Sequence, residues 1–177
     1  MEIKLEKDPI LYTEPKVFLY YGAEKIGKTT IASMLPNAAI LDTEEGSGYV
    51  SCIRYNINSL EELGAFRDAH IKAGYPHKFI IVDTITQCEE WTSRLATEIY
   101  MGTTKGKSFN RNSKGQLLPE IEWNNVYDEL GMNAILYIRR AWRELFTNYL
   151  YPACNINTRL ILIGHIKDKF MEGASNM

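Results

Sequence analysis

Cysteine is scarce. Cys52, Cys88 and Cys154 stand far apart and in no C-x-x-C arrangement, which excludes a disulfide framework or a zinc site and points to a reducing compartment. No apolar run is long enough to cross a bilayer, and the charged start Met1-Glu2-Ile3-Lys4 has none of the hydrophobic stretch of a signal peptide. Neither sign of charge prevails: 20 Lys and Arg oppose 22 Asp and Glu, for a net charge of −2. Any nucleic-acid contact must therefore come from a local patch. What is left is one domain of 177 residues, 45% hydrophobic and 24% charged, large enough to bury a core and expected in the cytosol with no membrane contact.

The most informative residues are Gly22-Ala23-Glu24-Lys25-Ile26-Gly27-Lys28-Thr29, a complete G-x-x-x-x-G-K-T string directly after the apolar run Val17-Phe18-Leu19-Tyr20-Tyr21. Strand, loop and helix in that order form a phosphate-binding loop. Its backbone N–H groups wrap a β-phosphate, Gly22 and Gly27 allow close approach, and the helix starting at Lys28 adds its positive end. Lys28 reaches the β- and γ-phosphates, and the Thr29 hydroxyl binds Mg²⁺. Gly22 to Thr30 are thus the candidate contacts for a nucleoside triphosphate, with ATP and Mg²⁺ the expected ligands.

Strand and helix patterns alternate along the chain. A helix over 28–34 stopped by Pro36 leads to a strand over 38–42 and a third strand over 49–56. Ser59 and Glu62 form a capping box for a helix over 60–73, which Gly74 and Pro76 end. Phe79-Ile80-Ile81-Val82-Asp83 reads as a strand covered on both faces. A helix over 87–100, a polar segment over 102–116 and a long helix over 133–149 precede the fifth strand, Leu160-Ile161-Leu162-Ile163-Gly164. The apolar stripe Ile135, Leu136, Ile138, Ala141, Trp142, Leu145, Phe146, Tyr149 and Leu150 is read as the face of the long helix packed on the sheet. Arg139, Arg140 and Arg143 are read as its solvated face. Such alternation specifies an α/β fold with a mainly parallel sheet between two helical layers.

Asp83 ends its strand 54 positions after Thr29. A carboxylate there holds Mg²⁺ beside the loop hydroxyl in phosphate-loop enzymes. With these residues in place, residues 17–169 resemble the RecA-type ATPase core, an AAA-type nucleotide-binding domain, and more closely its phage-encoded single-strand annealing relatives. The resemblance implies a strand order 3-2-4-5-1 and a catalytic glutamate after the second strand. Within Asp42-Thr43-Glu44-Glu45, Glu44 takes that place and Glu45 is the fallback. Glu24 matches the acidic third position of the RecA-type loop. It also places His165, which follows the fifth strand as Gly164-His165, at the γ-phosphate end as a sensor. One ring nitrogen donates to a phosphate while the other accepts a partner. His70 and His77 are read as surface residues.

The segment from Lys105 to Gly115 carries Lys105, Lys107, Arg111 and Lys114 with no acid, and Phe109 offers an aromatic face. Such a mixture suits single-stranded nucleic acid. It lies inside a basic loop insertion at 101–120, where the family places its first DNA-binding loop; Lys167 and Lys169 stand at the entry of the second. The resemblance further implies strands after the fifth that this sequence does not contain, either because it is a piece of a longer chain or because the fold is a reduced one; in both cases the first strand is expected near an open edge, with residues 2–12 the candidate to cover it. The expectation is a single-domain, Mg-dependent and DNA-stimulated ATPase acting in annealing or recombination. It would be phage-encoded, located in the host cytoplasm, assembled as a ring or filament, and partnered by single-stranded DNA and a phage or host single-strand-binding protein. A small-molecule kinase and a non-enzymatic nucleotide-dependent assembly module are the alternatives.

Overall fold

The computed structural model describes residues 16 to 165; the expectations placed on residues 2–12, Lys167 and Lys169 lie outside them. In chain order the elements are β1 (Val17–Gly22), α1 (Lys28–Ser33), β2 (Ala38–Asp42), β3 (Ile53–Asn56), α2 (Leu60–Lys72), β4 (Phe79–Asp83), α3 (Cys88–Met101), α4 (Val126–Leu130), α5 (Ile135–Glu144) and β5 (Arg159–His165). All pairings between the five strands are parallel. The sheet order is β1-β5-β4-β2-β3, which read from the β3 edge is 3-2-4-5-1.

The apolar runs explain the layers. Every residue of β2 is buried, and β4 and β5 are buried along their middles, as strands covered on both faces must be. One face presents Leu41, Val82, Leu160 and Leu162 to Leu63 and Phe66 of α2, Trp91 of α3, and Leu145 and Leu150. The opposite face presents Ile40, Ile81, Ile161 and Ile163 to Ala32 of α1. A three-layer α/β/α arrangement results. On β1, Phe18 and Tyr20 join the second cluster, whereas Val17, Leu19 and Tyr21 are exposed.

Parallel strands place all their carboxyl ends along one rim. The register pairs Gly22 with His165, Asp42 with Asp83, and Asp83 with Ile163. Gly22, Asp42, Asp83 and His165, far apart in sequence, therefore meet along that rim.

The long helix departs from expectation. A 3₁₀ turn over Gly131–Ala134 precedes α5, and the chain continues as a π-helical segment over Leu145–Leu150. The second half of the stripe, from Trp142 on, reaches the sheet cluster. Ala141 instead packs with Ala96 and Tyr100 of α3 and Val126 of α4 in a third cluster, leaving Leu136 69% and Ile135 41% exposed. Ala141 and Trp142, adjacent in α5, already face different clusters, so one stripe serves two partners. The sequence reading also missed α4, whose start is marked by Asn125 accepting the Tyr127 N–H at 2.8 Å.

Strand β3 is shorter than expected because residues 48–51 belong to the turn leaving β2. Arg54 of β3 donates to the Ser47 and Val50 carbonyls of that turn. Ser59 caps α2 as expected, accepting the Glu62 N–H at 3.2 Å, but Glu62 reaches back to the Asn58 N–H at 2.7 Å rather than to that of Ser59.

Candidate nucleotide site at the strand ends

The loop from β1 to α1 turns through left-handed backbone at Lys25 and at Gly27, where φ is 60° and 90°. The second value is one that a side chain would strain. The turn brings Lys28 back over its own loop. Its buried ammonium donates to the Gly22 carbonyl at 2.8 Å and the Ala23 carbonyl at 2.7 Å, and its Nζ lies 3.3 Å from His165 Nδ1. An ammonium only donates, so Nδ1 is the acceptor and the neutral ring carries its proton on Nε2. That nitrogen lies 3.7 Å from Glu44 Oε2.

Thr29 donates its hydroxyl to Asp83 Oδ2 at 2.7 Å. Burial pushes the Asp83 carboxyl above its usual range, and the Thr29 hydrogen bond only partly counters this; Asp42 and Glu44 nearby push in the same direction as burial. A hydroxyl beside a crowded, desolvated carboxylate is a donor set suited to a hard divalent cation, which would relieve that crowding. Among the described residues no group of three His, Cys, Asp or Glu side chains could hold a metal by itself. Thr29 and Asp83 therefore fit a Mg²⁺ whose other ligands would be water and phosphate oxygen.

Asp42, read from sequence only as a strand end, organises the acidic turn. It is 2% exposed and accepts the N–H groups of Glu44, Gly46 and Ser47 at 3.3, 3.1 and 3.0 Å, as well as the Ser47 hydroxyl. Burial alone would raise its pKa, but the Ser47 side chain and these N–H groups outweigh it and hold the carboxyl below the ordinary range. The signal for this was an Asp followed by Gly and Ser, the pattern of an aspartate folding its own turn. The turn carries Glu44 toward Thr84, whose hydroxyl donates to Glu44 Oε1 at 2.6 Å. Glu45 has left-handed backbone (φ 54°) and, unlike Glu44, does not line the cavity.

These groups surround a cavity of about 430 Å³ bordered by Glu24, Lys28, Thr29, Glu44, Asp83 and His165; Lys25, Gly27 and Thr30 complete its loop side. Of the remaining loop residues, Ala23 offers its carbonyl to Lys28 and Ile26 lays its side chain over Gly22. A larger hollow of about 880 Å³ adjoins the first, sharing Glu24, Glu44 and His165. Its wall carries Glu89, Glu90 and Glu120, and its single arginine, Arg94, is paired with Glu98 and Glu120.

Lys105, Lys107, Arg111 and Lys114 are exposed but border neither hollow. Their segment is tied to the end of α3, where a Cβ on Gly106 would sit 2.0 Å from the Tyr100 carbonyl oxygen. Arg111 spends its guanidinium on the Lys107 and Gly115 carbonyls at 2.9 and 2.8 Å. Phe109 is not a free aromatic face: its half-buried ring meets Tyr100 edge-on at 5.3 Å within the third cluster. A ring with that apolar neighbour gains more from packing than from solvent.

His70 and His77 also depart from the sequence reading. Both are buried, 3% and 8% exposed, with rings stacked 5.3 Å apart. His70 Nδ1 faces the Ala153 carbonyl at 3.0 Å, its Nε2 accepts the His77 N–H at 3.3 Å, and His77 Nε2 meets the Tyr55 hydroxyl at 3.2 Å. The spacing of Leu63, Phe66 and His70 along one helical face was the signal.

A family model described as an AAA domain matches residues 14–116, which span β1 to the basic segment and include every residue of the loop, the acidic turn and Asp83. No curated protein matches the chain. With more than half of its residues matched and a phosphate loop at the end of a parallel sheet, the chain belongs to the AAA domain family of P-loop ATPase-like proteins.

Proposed function

We propose that the protein binds ATP with Mg²⁺ at the strand ends, hydrolyses it, and couples turnover to single-stranded DNA. The observation that carries this reading is the convergence of Lys28, Thr29, Asp83, Glu44 and His165 on one cavity. Bound Mg²⁺, held by Thr29 and Asp83, would neutralise phosphate charge as the γ-phosphoryl group leaves. Lys28, whose ammonium already lies over the loop, supplies a fixed positive charge to the β- and γ-phosphates. Glu44 presents a carboxylate to the same space and serves as the acceptor that orients and polarises the attacking water. His165, between Lys28 and Glu44, is proposed to sense the nucleotide's state.

Single-stranded DNA is the partner supported by the exposed cations Lys105, Lys107, Arg111 and Lys114 and by the likeness of Gly164-His165 to the phage annealing relatives. The acidic wall beside the site repels phosphate, so the strand runs along the basic segment at the end of α3 and not through the larger hollow. Lys167 and Lys169 are proposed to add to this surface, and a homo-oligomeric annealing or recombination protein encoded by a phage is the setting this reading favours. The test separates binding from chemistry. Glu44→Gln should keep Mg·ATP affinity within about threefold and lower phosphate release by about 100-fold or more, and unchanged turnover would remove Glu44 from this role.

A further inference from the structure

We propose that Thr84 is the positioning residue that holds Glu44 in its working geometry, and that it does so as half of a threonine pair. The proposal rests on the assignment of Glu44 as the water-orienting carboxylate. Glu44 sits on a turn with its side chain 36% exposed, and a glutamate in such a place has three rotatable bonds to explore. Its carboxylate nevertheless has one oxygen fixed by the Thr84 hydroxyl at 2.6 Å, a short charge-assisted bond.

Thr84 is itself held. It is 2% exposed, its N–H donates to Thr43 Oγ1 at 2.7 Å, and Thr43 returns its own hydroxyl proton to the Thr84 carbonyl at 2.9 Å. The Thr43 N–H in turn donates to the Asp83 carbonyl at 2.9 Å. Thr43 directly precedes Glu44, and Thr84 directly follows Asp83. The result is a closed ring: Thr43 grips the Thr84 backbone, the Thr84 side chain grips Glu44, and Glu44 is bonded through the chain to Thr43. The turn bearing the water-orienting carboxylate and the strand end bearing the cation ligand thereby become one rigid unit.

The hydroxyl occupies Oε1 and leaves Oε2, on the side of His165 Nε2, as the oxygen able to accept from water. A hydroxyl has a single proton to give. Thr84 can therefore orient one carboxylate oxygen without contributing to the other, which is the task of a positioning group.

Thr84→Val removes the hydroxyl and keeps the shape, and Thr84→Ser keeps the hydroxyl. The expected result for Thr84→Val is a fall in kcat of about tenfold or more with KM for ATP and equilibrium Mg·ATP affinity changed less than about threefold. Thr84→Ser should restore at least half of kcat. In a Glu44→Gln background, Thr84→Val should add less than about a twofold effect, because its action passes through Glu44. If Thr84→Val does not fold by circular dichroism, Thr84→Ala is read in the same way. Full kcat in the variant lacking the hydroxyl, a loss that Ser does not rescue, or a loss undiminished in the Glu44→Gln background would each overturn the positioning role. If Glu44→Gln alone leaves turnover intact, the assignment of Glu44 fails first, and the two failures are thus told apart.

Discussion

Replacing Lys28 by Met removes the ammonium and keeps most of the stem that lies against the loop. In the structure that ammonium holds the Gly22 and Ala23 carbonyls at 2.8 and 2.7 Å and approaches His165 Nδ1 at 3.3 Å. An arriving triphosphate competes for the same three donors. A hydrogen bond from the ammonium to a charged phosphate oxygen is worth about 3 kcal/mol, the upper end of the charge-assisted range, and one to a neutral carbonyl about 1.75 kcal/mol, near its lower end, so exchanging two for two gains about 2.5 kcal/mol. The net loss in Lys28→Met is then about 2.5 kcal/mol, or roughly 70-fold in Kd for Mg·ATP by titration calorimetry. Stability should fall by only about 1 kcal/mol, because the Ala23 carbonyl is at the surface and only that of Gly22 is left buried without its donor. An affinity within about threefold of the parent, in a variant that melts normally, would refute the phosphate-loop assignment.

Four further outcomes follow from particular residues. Glu45→Gln should leave phosphate release within about twofold, since Glu45 does not line the cavity; a large loss there with none in Glu44→Gln would shift the catalytic register by one. Replacing Lys105, Lys107, Arg111 and Lys114 together by Gln should flatten the salt dependence of single-stranded DNA binding by up to about 3 units of log–log slope, at roughly 0.7 per phosphate. Adding Phe109→Ala should lower the melting temperature and leave that slope alone, because the ring packs on Tyr100. Burial lowers the pKa of both His70 and His77 below the ordinary 6.5, with mutual repulsion adding to the shift at His70. Below 6.5 the unfolded chain therefore takes up protons before the fold does, so this contribution to stability is complete above that pH and is lost as pH falls through the lowered values. Thermal melts from pH 7.5 to 5 should show the decline and His70→Gln with His77→Gln should flatten it; equal slopes in parent and variant would contradict it.

Much of the site was legible because its signals are local. The eight residues from Gly22 to Thr29 carry their own geometry, and an apolar strand ending in Asp83 needs only to lie near the loop, which the strand order ensures. Glu44 was pointed to by resemblance, and it borders the cavity beside Lys28 and Asp83. What stayed hidden depends on tertiary partners. Thr43 and Thr84 are unremarkable in sequence, and only the pairing of Asp42 with Asp83 across β2 and β4 brings them together. The apolar stripe of α5 was visible, but its division between the sheet and α3 is a matter of tertiary packing that no local pattern announces. His70 and Phe109 failed for the same reason: a polar or basic neighbourhood in sequence says little about a side chain that the fold turns inward.

The central claim is an ATPase coupled to single-stranded DNA. Its most direct test is the steady-state rate of phosphate release by the full chain with Mg·ATP, measured with and without a single-stranded oligonucleotide and with no small-molecule acceptor present. The account predicts measurable basal release that rises several-fold with single-stranded DNA, and a loss of that rise when the four cations of the basic segment are replaced. Tight ATP binding with no release under either condition would contradict it and favour a nucleotide-dependent assembly module, and release that requires a small acceptor would contradict it in favour of a kinase.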